Sequence, residues 1–242
     1  MKRSQITAYL PWQLWDFAVD RGIAILFTGG LMGMSIVLPG HMVLTEHQQL
    51  SPEALTLELF KAVVAQTVSI FVVIAASGIV ANDRVSGSYR FLFSKPVRQP
   101  VYYALQFAIT LLGVLIAGLI LLSIFWVLVG WASPVVPLIM ITVSYLALGG
   151  PIFFFSTFTR FDWALLVVLW GGSAIARTVF SDSSWYQVAQ WILPPVHHID
   201  KLRGALFADT PVDVGGVVWL IGYGMLFFLA GLVMLERKAI AE

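Results

Sequence analysis

The sequence predicts an all-α integral membrane protein with six transmembrane helices. Three observations predict it. Of the 242 residues 59% are hydrophobic and only 11% are charged, against about 45–50% and about 25% in soluble proteins. Mean hydropathy is +0.89. The apolar residues fall into six continuous runs, each near the ~20 residues that a helix needs to cross hydrocarbon, and not into the short alternating segments of a membrane barrel.

The runs lie at 22–38, 60–81, 101–130, 135–158, 163–180 and 214–235, within one transmembrane domain over 1–242. The first is at the short limit for a span, and the third is long enough to tilt or project. The segment before the first run is polar and has no small-residue cleavage site, which argues for a retained helix and against a secretory signal. Gly149-Gly150-Pro151 predicts a break in the fourth run.

Charge position gives the orientation. With both termini on one side, that side holds Lys2, Arg3, Arg21, Arg84, Arg90, Lys95, Arg98, Arg160, Arg237 and Lys238. The other holds Lys61, Arg177, Lys201 and Arg203. The excess places both termini in the cytoplasm. The loops 39–59, 131–134 and 181–213 are then external, and none is large enough for a separate domain.

Two segments are predicted to be helical without spanning. In 9–21, Gln13, Asp16 and Asp20 recur at spacings of three and four, while Leu10, Trp12, Leu14, Trp15, Phe17 and Val19 cover the rest. That profile predicts an interfacial helix with tryptophans at headgroup depth. Its acidic stripe is free to face a protein. In the last outer loop, 185–193 and 198–207 are apolar and separated by Pro194-Pro195. They predict a re-entrant or surface-lying helical pair held against the bundle, because lipid cannot satisfy a broken backbone.

The most informative stretch is 82–100, NDRVSGSYRFLFSKPVRQP, between the second and third runs. Gly87 permits a sharp change of direction. Ser88 can cap a short helix through Phe93, and Pro96 forbids its continuation. Phe91 and Phe93, two residues apart, lie on different faces, so at least one ring is offered to something other than the membrane.

This pattern resembles the signature loop of type-2 ABC transporter permeases, the ABC-2 family. Asp83, Arg84, Gly87, Ser88, Leu92, Ser94, Pro96 and Arg98 fall on its positions. A second resemblance lies before the last run, where Pro195, His198, Asp200 and Arg203 match the family's outer segment. The chain departs from the family in having Arg90 with no nearby acid, and Pro194 where asparagine is usual.

The resemblance implies the permease subunit of an ATP-driven exporter. Its cytoplasmic coupling helix, including Tyr89, Arg90, Phe91 and Lys95, would dock on a separate ATPase, and the N-terminal helix with Asp16 and Asp20 would touch the same partner. The implied assembly is two ATPase subunits with a second copy of this chain or a related permease, in a bacterial or archaeal cell (inner) membrane.

The chain itself carries no phosphate-binding loop, since no Gly-Lys dipeptide occurs. ATP and magnesium would be bound by the partner, and the chain is not expected to be an enzyme or to hold a cofactor. Having no cysteine, it has no disulfide and no thiolate metal site. A net charge of +1 does not suggest nucleic acid. His197, His198, Asp200 and Asp209 are the one polar cluster that suggests a membrane metalloenzyme. The expectation is nevertheless a structural or gating role there and no metal site.

Within the spans, Gln66, Thr67 and Ser69, with Thr142 and Ser144, are candidates for a transport path or for helix–helix hydrogen bonds. Gly29 and Gly33 would let the first helix pack closely. So many aromatics and so few intramembrane charges favour a hydrophobic or amphipathic cargo, such as a drug, lipid or glycolipid. The alternative in the same family is a non-transporting anchor or mechanotransmission subunit.

Overall fold

The computed structural model describes residues 11–43, 60, 64, 67–87, 98–128, 133–180, 183–184, 193, 195–208 and 210–241. Every element among them is helical. In chain order they are α1 (11–17), a π-helical turn (Ala18–Gly22), α2 (Ile23–Val43), α3 (67–76) and α4 (Ala81–Val85). There follow α5 (Gln99–Leu128), α6 (Val135–Ser156), α7 (Asp162–Phe180), α8 (Val196–Ala208) and α9 (Val214–Ala241). Six helical runs are long and apolar enough to cross a membrane: Pro11–Met34, Thr67–Val85, Gln99–Val127, Val135–Ser156, Asp162–Phe180 and Val214–Arg237. The chain is built as a multi-pass membrane protein.

Three features differ from the sequence reading. The polar-striped segment is not separated from the first span, because helical backbone runs without a loop from 11 to 43. The residues flanking the π turn, Phe17 and Ile23, both hold right-handed helical angles. The wider turn shifts the angular register. Before it, in α1, Gln13 is buried, at 1% exposure, while Asp16 and Asp20 are exposed.

The second span is not continuous. Its helix stops at 76, turns through 77–80 and restarts at Ala81, with Gly78 at φ +68°. The fourth span, by contrast, runs unbroken through Gly149-Gly150-Pro151. Proline there removes a single donor, and the glycines serve packing.

The chain divides into two compact units, one comprising Lys2–Ala75 with Ile109–Thr142, the other Ala76–Ala108 with Val143–Glu242. In the first, Phe17 packs on Gly113, where a Cβ would come within 2.3 Å of its ring. A Cβ on Gly29 would meet Leu121 at 2.4 Å and Phe71 at 2.7 Å. Gly29 is therefore a close-contact position. Phe60 and Phe125 stack with centroids 4.5 Å apart. Arg21 Nη1 donates to the carbonyl of Ala75, at the end of α3, a natural place for a cation.

In the second unit α6 and α9 touch backbone to backbone. A Cβ on Gly150 would lie 2.0 Å from the carbonyl oxygen of Gly224, and one on Gly224 would lie 1.7 Å from that of Leu146. Small residues permit such approach, and dispersion then drives association that lipid would not. Around this crossing Phe107 sits 4.7 Å from Tyr145 and 4.5 Å from Phe228, and Phe153 sits 5.1 Å from Phe228. Tyr145 Oη donates to the Phe107 carbonyl at 2.9 Å, so the one hydroxyl in this cluster is satisfied.

Candidate functional site: a clasped break in the second span

A helix interrupted in an apolar surrounding exposes backbone groups that lipid cannot bind, and each costs free energy unless the protein supplies a partner. The break at 77–80 is met from one short segment, the turn between α6 and α7. Asp162 Oδ2 accepts from the Gly78 N–H at 2.7 Å. Ser156 Oγ accepts from the Val80 and Ala81 N–H groups at 2.9 and 3.0 Å. Arg84 Nη1 donates to the Thr157 carbonyl at 2.5 Å. Ser156, Thr157 and Asp162 are all fully buried.

The geometry follows from local chemistry. Gly78 reaches φ +68° without the steric penalty that a side chain would incur. Its carbonyl accepts from the Asn82 N–H at 3.0 Å, closing the turn into α4. Asp162 opens α7, where its second oxygen, Oδ1, accepts from the Trp163 N–H at 2.8 Å. One carboxylate thus ties the start of the fifth span to the break in the second.

Downstream, Ser86 donates through its hydroxyl to the Asp83 carbonyl at 3.3 Å. Gly87 then takes φ +73°, with none of the described residues within 4 Å of where a Cβ would sit. Asp83 is half-buried, and Arg84 is turned back onto the Thr157 carbonyl. Arg98 is exposed, and its carbonyl accepts from Val101 and Tyr102 N–H at the start of α5. Ser88, Tyr89, Arg90, Phe91, Leu92, Ser94, Lys95 and Pro96 lie outside the described residues, as does Gln66. The predicted coupling helix falls there too, as does the predicted segment 185–193 apart from Leu193.

The second outer segment is present as α8, with Pro195 buried at its entry. Asp200 and Arg203 form an exposed pair at 3.7 Å, worth little in water. His198 lies against the first turn of α9, where a Cβ on Gly216 would be 2.7 Å from its Nδ1. Asp213 Oδ1 caps that turn through the Gly216 N–H at 3.1 Å.

Burial, followed by the neighbouring Lys201, pushes the His198 imidazole below its usual range, with Asp213 opposing. Burial drives His197 down to about 4, with help from His198, Lys201 and Arg177 and against Asp200. No group of three or more metal-ligating side chains gathers among the described residues.

Of the polar residues inside the spans, Thr67 donates to Met32 Sδ at 3.2 Å and Thr142 to the Leu138 carbonyl at 2.8 Å. Both are helix or helix–helix hydrogen bonds. Ser144 is buried and Ser69 half-buried. The clasp residues Gly78, Ser156, Thr157 and Asp162 belong to no motif. Their one local signal is polar residues at the margins of apolar runs, with Ser77-Gly78 inside one. No family model, curated protein or solved structure matches the chain.

Proposed function

We propose that this chain is the permease subunit of an ATP-driven exporter of the ABC-2 type, moving a hydrophobic or amphipathic cargo with energy from a separate ATPase. The supporting observation is the clasp. The helix that leads into the basic, ring-bearing segment is joined by four hydrogen bonds to the turn between α6 and α7. Force applied at 83–98 therefore has a stiff route into two further spans. Discontinuous spans with internally satisfied backbone are a device of transporters.

In this reading both termini and the 82–100 segment face the cytoplasm. ATP and magnesium sit on two ATPase subunits, and the permease pairs with a second copy or a relative. Closure of the ATPases moves the segment, and the clasp carries that motion onward. Arg90→Glu and Phe91→Ala should each lower the amount of ATPase that co-purifies by about tenfold, the scale of one interfacial contact, with the bundle still folded. Undiminished co-purification of both variants overturns the docking role. Sealed vesicles holding the intact complex should accumulate an amphipathic probe dye only when ATP is present, and failure to do so overturns export.

A further inference from the structure

Within the unit of Lys2–Ala75 and Ile109–Thr142 lies a cavity of about 630 Å³ between α2, α3 and α5, with Pro137 and Ile141 of α6 at its edge. Its wall is almost wholly apolar. Among its described lining residues the one hydroxyl, Thr67 Oγ1, already donates to Met32 Sδ at 3.2 Å. Phe27, Leu31 and Met34 line it yet are 67%, 54% and 62% exposed, so the cavity opens sideways along the first span. Protein interiors are close-packed, and a void of this size forfeits dispersion contacts along its whole lining.

Its glycines are of two kinds. Gly29 is required by packing, since a Cβ would strike Leu121 and Phe71. A Cβ on Gly30 or Gly33 would meet none of the described residues within 4 Å. Glycine inside a helix costs about 0.5–1 kcal/mol relative to alanine, and among the described residues no side chain demands it at these two positions. They leave room beside the described helices.

We infer that the cavity binds an acyl chain of a membrane phospholipid. A headgroup, or an irregular peptide segment, would bring polar groups to a wall that offers no free partner. A helix of a second chain is 10–12 Å across with a 5.4 Å pitch, so little more than one of its turns would fit in this volume. A slender hydrocarbon suits it better. An apolar cavity of about 150 Å³ stays dry and takes up benzene, and this one is roughly four times larger, the scale of a long chain. Its lateral mouth lies on a span, where chains are the solvent. The inference does not depend on the exporter reading.

The test is photolabelling of the full-length protein in vesicles of phosphatidylcholine doped with an analogue carrying a diazirine in its sn-2 chain, with adducts mapped by mass spectrometry. Per residue, adducts at Phe27, Met34 and Leu121 should exceed those at Val168 and Leu226, exposed apolar residues of other spans, by about tenfold. In a folded Gly30→Leu/Gly33→Leu variant that excess should vanish while labelling at Val168 and Leu226 stays unchanged. Even labelling of all these positions overturns the inference, as does an excess that survives in the folded variant. So does cross-linking of cavity residues between two copies of the chain with no lipid adducts, which would mean that a second copy fills it. Should the double variant not fold, the wild-type distribution decides alone.

Discussion

Gly150 and Gly224 in one compact unit, and Gly30 and Gly33 in the other, are the same residue in helices of similar apolarity, with opposite surroundings. At the first pair a Cβ would lie 2.0 and 1.7 Å from backbone oxygen, and at the second it would touch none of the described residues within 4 Å. One pair lets two spans close to backbone contact, and the other keeps a space open. Gly78 is a third kind, needed first for a φ of +68°, with the Asn82 side chain also only 2.5 Å from where a Cβ would sit. A glycine in an apolar run is therefore uninformative until its neighbours are known. The Gly-Gly-Pro of α6 predicts a break and lies in continuous helix, while the less conspicuous Ser-Gly of the second span marks the real one.

Adding a methyl group at each kind of site should break or sharpen this comparison. The largest effect is expected for Gly224→Ala. The new Cβ would collide with the Leu146 carbonyl and the Ala147 Cα, both backbone atoms that no rotamer change can move. Overpacking usually costs about 1–3 kcal/mol, and a backbone clash belongs at or above that upper end. Thermal unfolding in detergent should show a fall in Tm of several degrees, with Gly150→Ala behaving alike. An unchanged Tm for both would mean that α6 and α9 do not meet at these glycines.

The clasp comes next. Asp162→Ala removes the acceptor for the Gly78 N–H in a buried site, and a buried unsatisfied donor costs about 1–3 kcal/mol. Asp162→Asn keeps an acceptor oxygen and should recover much of the loss. Hydrogen exchange at the Gly78 amide is the direct measure, fast in the alanine variant and protected in the asparagine one. Equal protection in all three proteins would mean that the turn at 77–80 is satisfied from elsewhere.

The sequence discloses the spans because lipid imposes a continuous apolar requirement that no tertiary contact can waive. The fifth run, predicted at 163–180, is observed at Asp162–Phe180. The sixth begins at Val214, as predicted. The helix α8, between the fifth and sixth runs, is legible from Pro195 at one end and Asp209-Thr210-Pro211 at the other.

The clasp is not legible, because its acceptors come from residues 75 to 84 positions away in the chain and neither side has a spacing rule. The stripe of Gln13, Asp16 and Asp20 divides for another reason. Gln13 lies one helical turn before Phe17, whose ring is buried against Gly113, so it goes under with that face while Asp16 and Asp20 stay exposed. Its amide has no hydrogen-bond partner among the described residues.

The smallest effect is expected at Gly30, with the opposite sign. Gly30→Ala places a methyl group where none of the described residues lies within 4 Å, in a right-handed helix that alanine favours. It restricts the unfolded chain more than the folded one, so the protein should gain about 0.5–1 kcal/mol. A rise in Tm of a degree or two beside the fall for Gly224→Ala would separate glycine that holds helices together from glycine that holds space open. A fall at Gly30 comparable to that at Gly224 would mean that another part of the chain closes over α2 and fills the cavity. The two classes of glycine would then collapse into one, and the opening along the first span would be an internal contact, no longer available to a lipid chain.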